Sequence, residues 1–244
     1  MTRKNIFYIF TQTLPVFFGY ITLGIAFGLI FTNAGFAWYL APLMSLIVFA
    51  GAAQFISIGL IASGTPLTAI LITQLLVNIR HIFYGLSLIT KFKDCGKCKP
   101  YLIFALTDET YSLLTTLEVP KDCKPSTFYT LISIFDQSYW VLGTTLGAIA
   151  GNFIPFDLTG IDFSLTALFA ILTIEQIKKT KDILPVLVGA LTSVASIILW
   201  KMGIINDSSN ILLVSICAGL AALCLCKRKD ILKSENEVKE VENE

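Results

Sequence analysis

Residues 14–31 read "LPVFFGYITLGIAFGLIF", eighteen consecutive residues without a charged side chain. A bilayer core about 30 Å thick is crossed by about 20 mostly apolar helical residues. The stretch and its flanks therefore predict a membrane-spanning helix over 6–31. The apolar run is longer than the core of a signal peptide and lacks a small-x-small cleavage site, so we interpret it as an uncleaved first span.

The rest of the chain has the same character. Of its 244 residues 55% are hydrophobic and only 14% are charged, with a mean hydropathy of +0.75, whereas a soluble domain carries about 25% charged residues. The pattern indicates an integral membrane protein, and the absence of alternating strands favours an all-α, polytopic helical membrane bundle. Seven to eight hydrophobic segments are predicted, at 6–31, 38–62, 66–90, 101–117, 128–151, 163–177, 183–202 and 211–226.

Basic residues in short loops tend to stay in the cytoplasm, and this rule orients most of the chain. It places the basic stretches 91–99, 178–181 and 227–229 inside, with 227–244 as a charged cytoplasmic tail. The acidic loops predicted to lie outside contain Asp157, Asp162 and Asp207. The tail gives the C-terminus a cytoplasmic position.

The rule gives a conflict around segment 101–117. The loop before it (91–99) and the loop after it, which holds Lys121 and Lys124, both look cytoplasmic, yet one full crossing cannot begin and end on the same side. We therefore favour a broken or re-entrant segment 101–117, with seven full spans and the N-terminus outside. Eight full spans with the N-terminus inside remain the alternative.

A weak internal repeat suggests two related halves, 1–118 and 119–226, within one transporter domain over 1–226. "TLGIAFG" at 22–28 resembles "TLGAIAG" at 145–151. A later glutamine (Gln54, Gln176) and a proline follow each copy. Small residues four apart also let helices approach closely in lipid, so Gly24, Gly28, Gly143 and Gly147 are predicted to lie at a helix crossing.

Polar residues cluster in "LLVNIRHIFYGLSL" at 75–88. On a helix, Asn78 and His81 share one stripe with Gln74 and Gly85, while Arg80 and Tyr84 lie on the adjoining one. An ionisable residue inside a span is by default a functional-site hypothesis, and Arg80 lies about ten residues, or about 15 Å, from the basic loop, which is far for snorkelling. His81, the only histidine, is either a proton carrier or a hydrogen-bonded core residue.

Acidic residues form the second polar group. Asp108 and Glu109 are adjacent in "ALTDETYSLL" at 105–114, and two neighbouring buried acids cannot both stay ionised cheaply. This is the chemistry of a proton or cation site, unless both acids are wet at a re-entrant tip. Asp136 is predicted either to pair with Arg80 or to lie at the interface, and Glu175 is predicted to be interfacial.

Three stretches carry a resemblance to a known family. "FAGAAQF" at 49–55, "LLVNIRHIFYGLSL" at 75–88 and "LTDETYSLL" at 106–114 resemble the signature stretches of the AzlC-type, or YgaZ-like, permeases. The resemblance implies a multi-pass protein of the prokaryotic inner membrane that exports leucine, isoleucine and valine with a small hydrophobic AzlD-like subunit. Family members usually have serine where this chain has Ala53, which leaves the specificity open.

Together these observations give a site hypothesis. A zwitterion needs partners for both its charges, so Arg80 and Asn78 are predicted to bind the carboxylate, and an acid the ammonium. Proton exchange at the acids or at His81 would couple export to the proton gradient. The substrate-binding candidates are Gln54, Asn78, Arg80 and Tyr84, and the proton or cation coupling candidates are His81, Asp108, Glu109 and Asp136.

Other function classes have less support. The chain lacks a phosphate-binding G-x-x-x-x-G-K-[ST] motif and a basic, aromatic face for nucleic acid, and one histidine with two acids is too little for an enzyme. We expect no cofactor and no metal, because Cys95, Cys98 and Cys123 offer zinc no fourth ligand. A pore-like channel for small polar solutes remains the rival function.

Overall fold

The structure is a computed structural model that describes residues 3–93, 95–153, 181–205 and 210–226, with isolated helical positions between 166 and 178. The regular secondary structure within these residues is helical. The predicted tail 227–244 and most of segment 163–177 lie outside the described residues, as do Asp157, Asp162, Glu175, Gln176 and Asp207.

The chain divides into two compact units. The first consists of residues 1–64 and 77–167, and the second of residues 65–76 and 168–244. Within the described residues the first unit contains α1 (Arg3–Asn33), α2 (Leu40–Ile47), α3 (Gly51–Ala62), the second half of α4 (Leu67–Ser87), a 3₁₀ turn (Gly96–Cys98), α5 (Lys99–Phe104), α6 (Asp108–Thr116) and α7 (Pro125–Phe153). The second unit contains the first half of α4, α8 (Leu184–Lys201) and α9 (Asn210–Cys226).

Among the described residues, three helices are both long and apolar enough to cross a membrane: α1, α4 and α8. The 29 residues of α7 also suffice by length, but this helix carries Asp136 and Gln137. Segments 38–62 and 101–117 are each broken into two short helices, α9 has only 17 residues, and most of segment 163–177 lies outside the described residues, so the seven to eight segments stay a prediction.

The first unit is built around α1 and α7, which run side by side in the same direction. Thr13 of α1 contacts Tyr139 of α7, with 3.0 Å between their hydroxyl oxygens, and the contacts then advance along both helices together. A Cβ atom on Gly143 would lie 2.8 Å from the carbonyl oxygen of Tyr20, and one on Gly24 would lie 2.9 Å from the amide nitrogen of Thr144. The predicted glycine crossing is confirmed, while the duplication stays a prediction.

Segment 38–62, predicted as one span, is instead a helical hairpin, here called the first hairpin. Its two legs, α2 and α3, are separated at Phe49, whose φ is +40°. Ser45 and Gln54 lie side by side on the two legs and are hydrogen-bonded at 3.0 Å. A left-handed phenylalanine and an immediately following helix start at Gly51 explain why the apolar run cannot continue as one helix.

Ring contacts show where the first hairpin turns. Phe36, before α2, packs against Phe31 near the end of α1, with 4.8 Å between ring centroids. Phe49 at the turn reaches Tyr20, eleven residues earlier in α1, at 6.4 Å, and α3 then returns along α1. The hairpin therefore enters and leaves at the end of the unit where α1 ends.

Segment 101–117 forms the second hairpin, with legs α5 and α6 and a break at 105–107. Arg80 of α4 pairs with Asp108 at the start of α6, and Lys91, beyond α4, bonds the carbonyl oxygen of Leu114 near the end of α6. α4 and α6 thus run in the same direction, and the chain must come back through α5 between them. The break and the return of the chain agree with the broken segment predicted here, while the side of the membrane on which its two ends lie stays a prediction.

The two hairpins enter from opposite ends and their tips meet at Tyr20. The phenol ring of Tyr20 contacts Phe49 of the first tip, and its hydroxyl lies 2.6 Å from the Thr107 hydroxyl of the second. Consequently α3 and α6 both begin inside the unit. Helix starts at membrane depth are found where the chain lines a cavity or a binding site.

Candidate functional site

An ion pair joins α4 to the first residue of α6. Arg80 Nη1 lies 2.8 Å from Asp108 Oδ2, and the Tyr84 hydroxyl donates to Asp108 Oδ1 at 2.6 Å. The two charged side chains are 31% and 23% exposed, so they lie in a cleft rather than in the core. We call Arg80, Tyr84, Asp108 and Tyr111 the ion-pair cluster.

Tyr111 completes this cluster by stacking on Tyr84, with ring centroids 4.4 Å apart and an interplanar angle of 14°. Ser87 donates to the Tyr111 hydroxyl at 3.1 Å. One turn further on, Lys91 Nζ donates to the carbonyl oxygen of Leu114 at 2.8 Å, where unpaired carbonyls and the helix dipole favour a cation. α6 is therefore held to α4 by polar and aromatic contacts along its length.

The polar face of α4 continues from this cluster. His81 Nδ1 lies 3.1 Å from the main-chain oxygen of Asn78, and the imidazole meets Tyr84 edge-on at 5.7 Å. On the other side of α4, four leucine and isoleucine side chains are exposed: Leu75, Ile79, Ile82 and Leu86. Leu76 beside them is half-buried.

Arg80 has an unused donor. Its Nε atom is buried and has no hydrogen-bond partner in the described part of the chain, while Nη1 is occupied by Asp108. An arginine presents five N–H groups in a planar fork that matches a carboxylate. The guanidinium therefore keeps a donor that Asp108 does not use.

The other two predicted acids lie deeper. Glu109 Oε2 is hydrogen-bonded to the Tyr20 hydroxyl at 2.7 Å, and Asp136 Oδ2 is hydrogen-bonded to the Thr110 hydroxyl at 2.8 Å. Asp136 is fully buried. The predicted pairing of Asp136 with Arg80 is therefore wrong: Asp108 pairs with the arginine, and Thr110, the third residue of α6, is the partner of Asp136. The alternative, a position of Asp136 at the membrane interface, stays a prediction.

Gln54 lies outside the ion-pair cluster. It is fully buried, donates to Ser45 Oγ at 3.0 Å and accepts from Trp140 Nε1 at 2.8 Å. Its amide therefore ties both legs of the first hairpin to α7. This geometry gives the residue predicted to bind substrate a supporting position in the structure.

Comparison with known proteins identifies the family of this chain. The profile of the AzlC protein family matches residues 15–154. The chain belongs to the AzlC family. No solved structure matches it.

Three relatives place this AzlC-family chain among membrane proteins. It is 38% identical over 192 residues to the "Branched-chain amino acid transport protein AzlC" of Bacillus subtilis, covering 78% of this chain and 75% of the relative. It is 33% identical to the "Inner membrane protein YgaZ" of Escherichia coli, covering 75% and 78%. An "Uncharacterized membrane protein" of Helicobacter pylori is 37% identical, covering 71% and 76%.

Sequence reasoning missed several residues of the site in this AzlC-family fold: Tyr20, Thr107 and Thr110, which connect the acids, and Tyr111, which stacks on Tyr84. One signal was available. Thr107 precedes two acids, a pattern typical of a helix start, and its hydroxyl accepts from the amide of Thr110 at 3.2 Å. Tyr20 had no such signal, because its role depends on contacts with residues almost 90 positions away.

A separate groove of about 630 Å³ lies between the hairpins and α7. Gln137 spans it, accepting from the Tyr101 hydroxyl at 2.8 Å and donating to the carbonyl oxygen of Leu46 at 3.2 Å. None of the predicted site residues lines this groove. The three loop cysteines, Cys95, Cys98 and Cys123, form no disulfide within the described residues, and Cys95 is buried.

Proposed function

We propose that this AzlC-family protein exports leucine, isoleucine and valine. The observation that carries the proposal is the Arg80–Asp108 pair, closed by Tyr84 in a half-buried cleft, in a family whose Bacillus subtilis member is named a branched-chain amino acid transport protein. Intramembrane charges that pair with one another mark substrate pathways in membrane proteins.

The pair has the charges that a zwitterionic amino acid needs. An incoming substrate binds its carboxylate at the exposed part of the Arg80 guanidinium. Its ammonium binds Asp108 once the Asp108 side chain turns away from the arginine. Asn78 lies two residues before Arg80, about 200° around α4, so we assign the carboxylate to Arg80 alone. One internal ion pair is replaced by two substrate ion pairs, so no unpaired charge is left in a low-dielectric cleft.

Export against a gradient needs an energy source, and we assign it to protons carried by Glu109, Asp136 or His81. The exposed apolar face of α4 suits lipid or the small hydrophobic AzlD-like subunit that we propose as partner. The Arg80–Asp108 pair, whose two charges neutralise each other when no substrate is bound, favours a carrier over a pore. A water-filled pore does not require such a binding site.

Charge also supports an orientation. Both hairpin geometries bring Arg3, Lys4, the lysines of 91–99, Lys121 and Lys124 to one end of the first unit, and the loop 34–39 at the other end has no charge. We propose that the basic end is cytoplasmic. Because segment 38–62 also turns back, this orientation has the N-terminus inside, and it removes the conflict found in the loop charges.

The decisive experiment measures export of preloaded leucine, isoleucine and valine from cells with and without the chain, each with and without an AzlD-like subunit. Arg80→Lys and Asp108→Asn should abolish export. The double variant with Arg80→Gln and Asp108→Asn removes both charges, so neither is left unpaired. We expect it to recover the stability that a single variant loses, but not export. This result would separate a substrate role of the pair from a structural one.

Reconstituted vesicles then separate carrier from pore: a carrier shows saturable uptake and counterflow of the amino acids. Export at the original rate by properly inserted Arg80→Lys and Asp108→Asn proteins would refute the assignment of the site.

A further inference from the structure

Glu109 and Asp136 are joined by an unbroken line of hydroxyl groups. Tyr20 lies between Glu109 (2.7 Å) and Thr107 (2.6 Å). Thr107 contacts the Thr110 hydroxyl at 3.0 Å, and Thr110 contacts Asp136 at 2.8 Å. We call Tyr20, Thr107 and Thr110 the hydroxyl chain; all three are buried.

The contacts along this line require a fixed number of hydrogen atoms. It has four oxygen–oxygen contacts but only three hydroxyl groups, and each hydroxyl supplies one hydrogen. All four contacts are hydrogen bonds only when one of the two carboxyl groups supplies the fourth hydrogen. With two ionised carboxylates one contact would bring together two buried oxygens without a proton, which is costly.

From this we infer that Glu109 and Asp136 form one proton-binding site, in which a single proton is shared through the hydroxyl chain. When Glu109 carries it, the carboxyl donates to Tyr20, Tyr20 to Thr107, Thr107 to Thr110, and Thr110 to Asp136. When Asp136 carries it, every bond in the line points the other way. Both arrangements satisfy all four contacts.

Transfer between the two arrangements balances at every atom. The O–H bond of Glu109 breaks as its proton passes to the oxygen of Tyr20, and the phenol proton passes to Thr107. The Thr107 proton passes to Thr110, and the Thr110 proton forms the new O–H bond on Asp136. Each hydroxyl ends with one hydrogen, and one negative charge has moved from Asp136 to Glu109, the neighbour of Asp108.

The position of the line explains its use. One end is beside the residue that pairs with Arg80, and the other ends at Asp136, whose Oδ1 has no hydrogen-bond partner within the described residues. Charge at the substrate cleft is thereby linked to protonation of a fully buried acid. Besides the members of the line, the titratable and charged groups around it are Asp108, Arg80, His81, Tyr84, Tyr101 and Tyr139.

Infrared spectroscopy of the purified full chain in lipid nanodiscs tests the shared proton directly. The wild type should show the C=O band of a protonated carboxyl. Glu109→Gln and Asp136→Asn should each abolish that band, because the amide N–H takes the place of the shared proton and leaves the remaining acid ionised. If either single variant keeps the band, the acids titrate independently and the inference is wrong.

A second test cuts the line without removing an acid. Tyr20→Phe keeps the ring between Phe49 and Trp140 but removes the hydroxyl. Thr13→Val is the matched control, since it removes another buried α1 hydroxyl that contacts a tyrosine of α7 outside the line. Tyr20→Phe should alter the carboxyl band, and Thr13→Val should not.

The transport arm of this test rests on the proposed function. Tyr20→Phe should lower the initial rate of proton-driven accumulation about a hundredfold, the lower end of what a positioned proton donor contributes. Counterflow of the same amino acid should stay near the wild-type rate. Retained accumulation, or an equal loss of counterflow, would contradict the relay. If the wild type transports none of the three amino acids, the proposed function fails, and the infrared result still decides the proton site.

Discussion

Arg80 and Asp108 meet at 2.8 Å between two helices that run in the same direction, at the residue where α6 begins. The start of a helix carries a partial positive charge, so the Asp108 carboxylate is stabilised by α6 itself as well as by the guanidinium. It therefore remains partly stabilised when Arg80 turns toward a substrate. A binding site that exchanges its own ion pair for a zwitterion needs this property.

The Tyr84 hydroxyl should contribute to substrate binding more than to folding. Tyr84→Phe removes its bond to Asp108 but keeps the ring that stacks on Tyr111. A hydrogen bond to a charged group contributes about 1.5–3 kcal/mol, which partial exposure reduces here. We expect the apparent substrate affinity to fall about tenfold, or about 1.4 kcal/mol, in a vesicle uptake assay.

Tyr111→Phe is the control for this substitution, because it keeps the same stacked pair and removes only an exposed contact with Ser87. Its affinity should remain within about twofold of the wild type, as expected for a surface substitution. Equal losses in both variants would mean that the stacked rings, rather than the Tyr84 hydroxyl, determine binding.

The glycine crossing should be sensitive to one methyl group. A Cβ atom on Gly28 would overlap the main chain of α7 around Thr144 and Ala148, and backbone cannot move aside as a flexible side chain can. Gly28→Ala should therefore destabilise the protein by about 1–3 kcal/mol, the usual cost of overpacking. The midpoint of thermal unfolding in detergent measures this loss.

Gly19→Ala provides the comparison within the same helix, since a Cβ atom there meets nothing within 4 Å. Replacing glycine by alanine in a helix favours the helical state by about 0.8–1 kcal/mol. The midpoint of thermal unfolding of Gly19→Ala should therefore equal or exceed that of the wild type. A fall of similar size in both variants would contradict the close crossing.

The sequence predicted local features well and long-range ones poorly. Charge parity identified 101–117 as unusual, and helical spacing identified the polar face of α4, because both depend on residues near one another in the chain. Segment 38–62 was misjudged because its break at Phe49 adds no charge to an apolar run. Asp136 was misplaced because its partner, Thr110, is set by how α6 packs on α7.

Gln54 should be required for stability of the first hairpin. Gln54→Leu fills a similar volume but leaves Trp140 Nε1 without the acceptor it has at 2.8 Å. An unsatisfied buried donor costs about 1–3 kcal/mol, so the unfolding midpoint should fall. Adding Trp140→Phe removes the orphaned donor. The double variant should therefore lose less stability than the two single variants lose together. Strictly additive losses would show that the amide and the indole act independently.

Two oppositely directed hairpins make a definite prediction about the membrane topology. Cys98 and Cys123 flank the second hairpin, and positions 34 and 62 flank the first. In single-cysteine variants, Cys98 and Cys123 should react with a membrane-impermeant thiol reagent only from the cytoplasmic side. Ala34→Cys and Ala62→Cys, both at exposed positions, should react only from outside.

These two pairs of positions discriminate among three topologies: seven full spans, eight full spans, and the arrangement in which both hairpins are re-entrant. If 38–62 were a full span, positions 34 and 62 would react from opposite sides; if 101–117 were one, Cys98 and Cys123 would. Labelling in intact cells and in inverted vesicles gives each position two independent readings. The re-entrant arrangement alone has both members of each pair on one side and the two pairs on opposite sides, so that the hairpin tips approach Tyr20 from the two faces of the membrane.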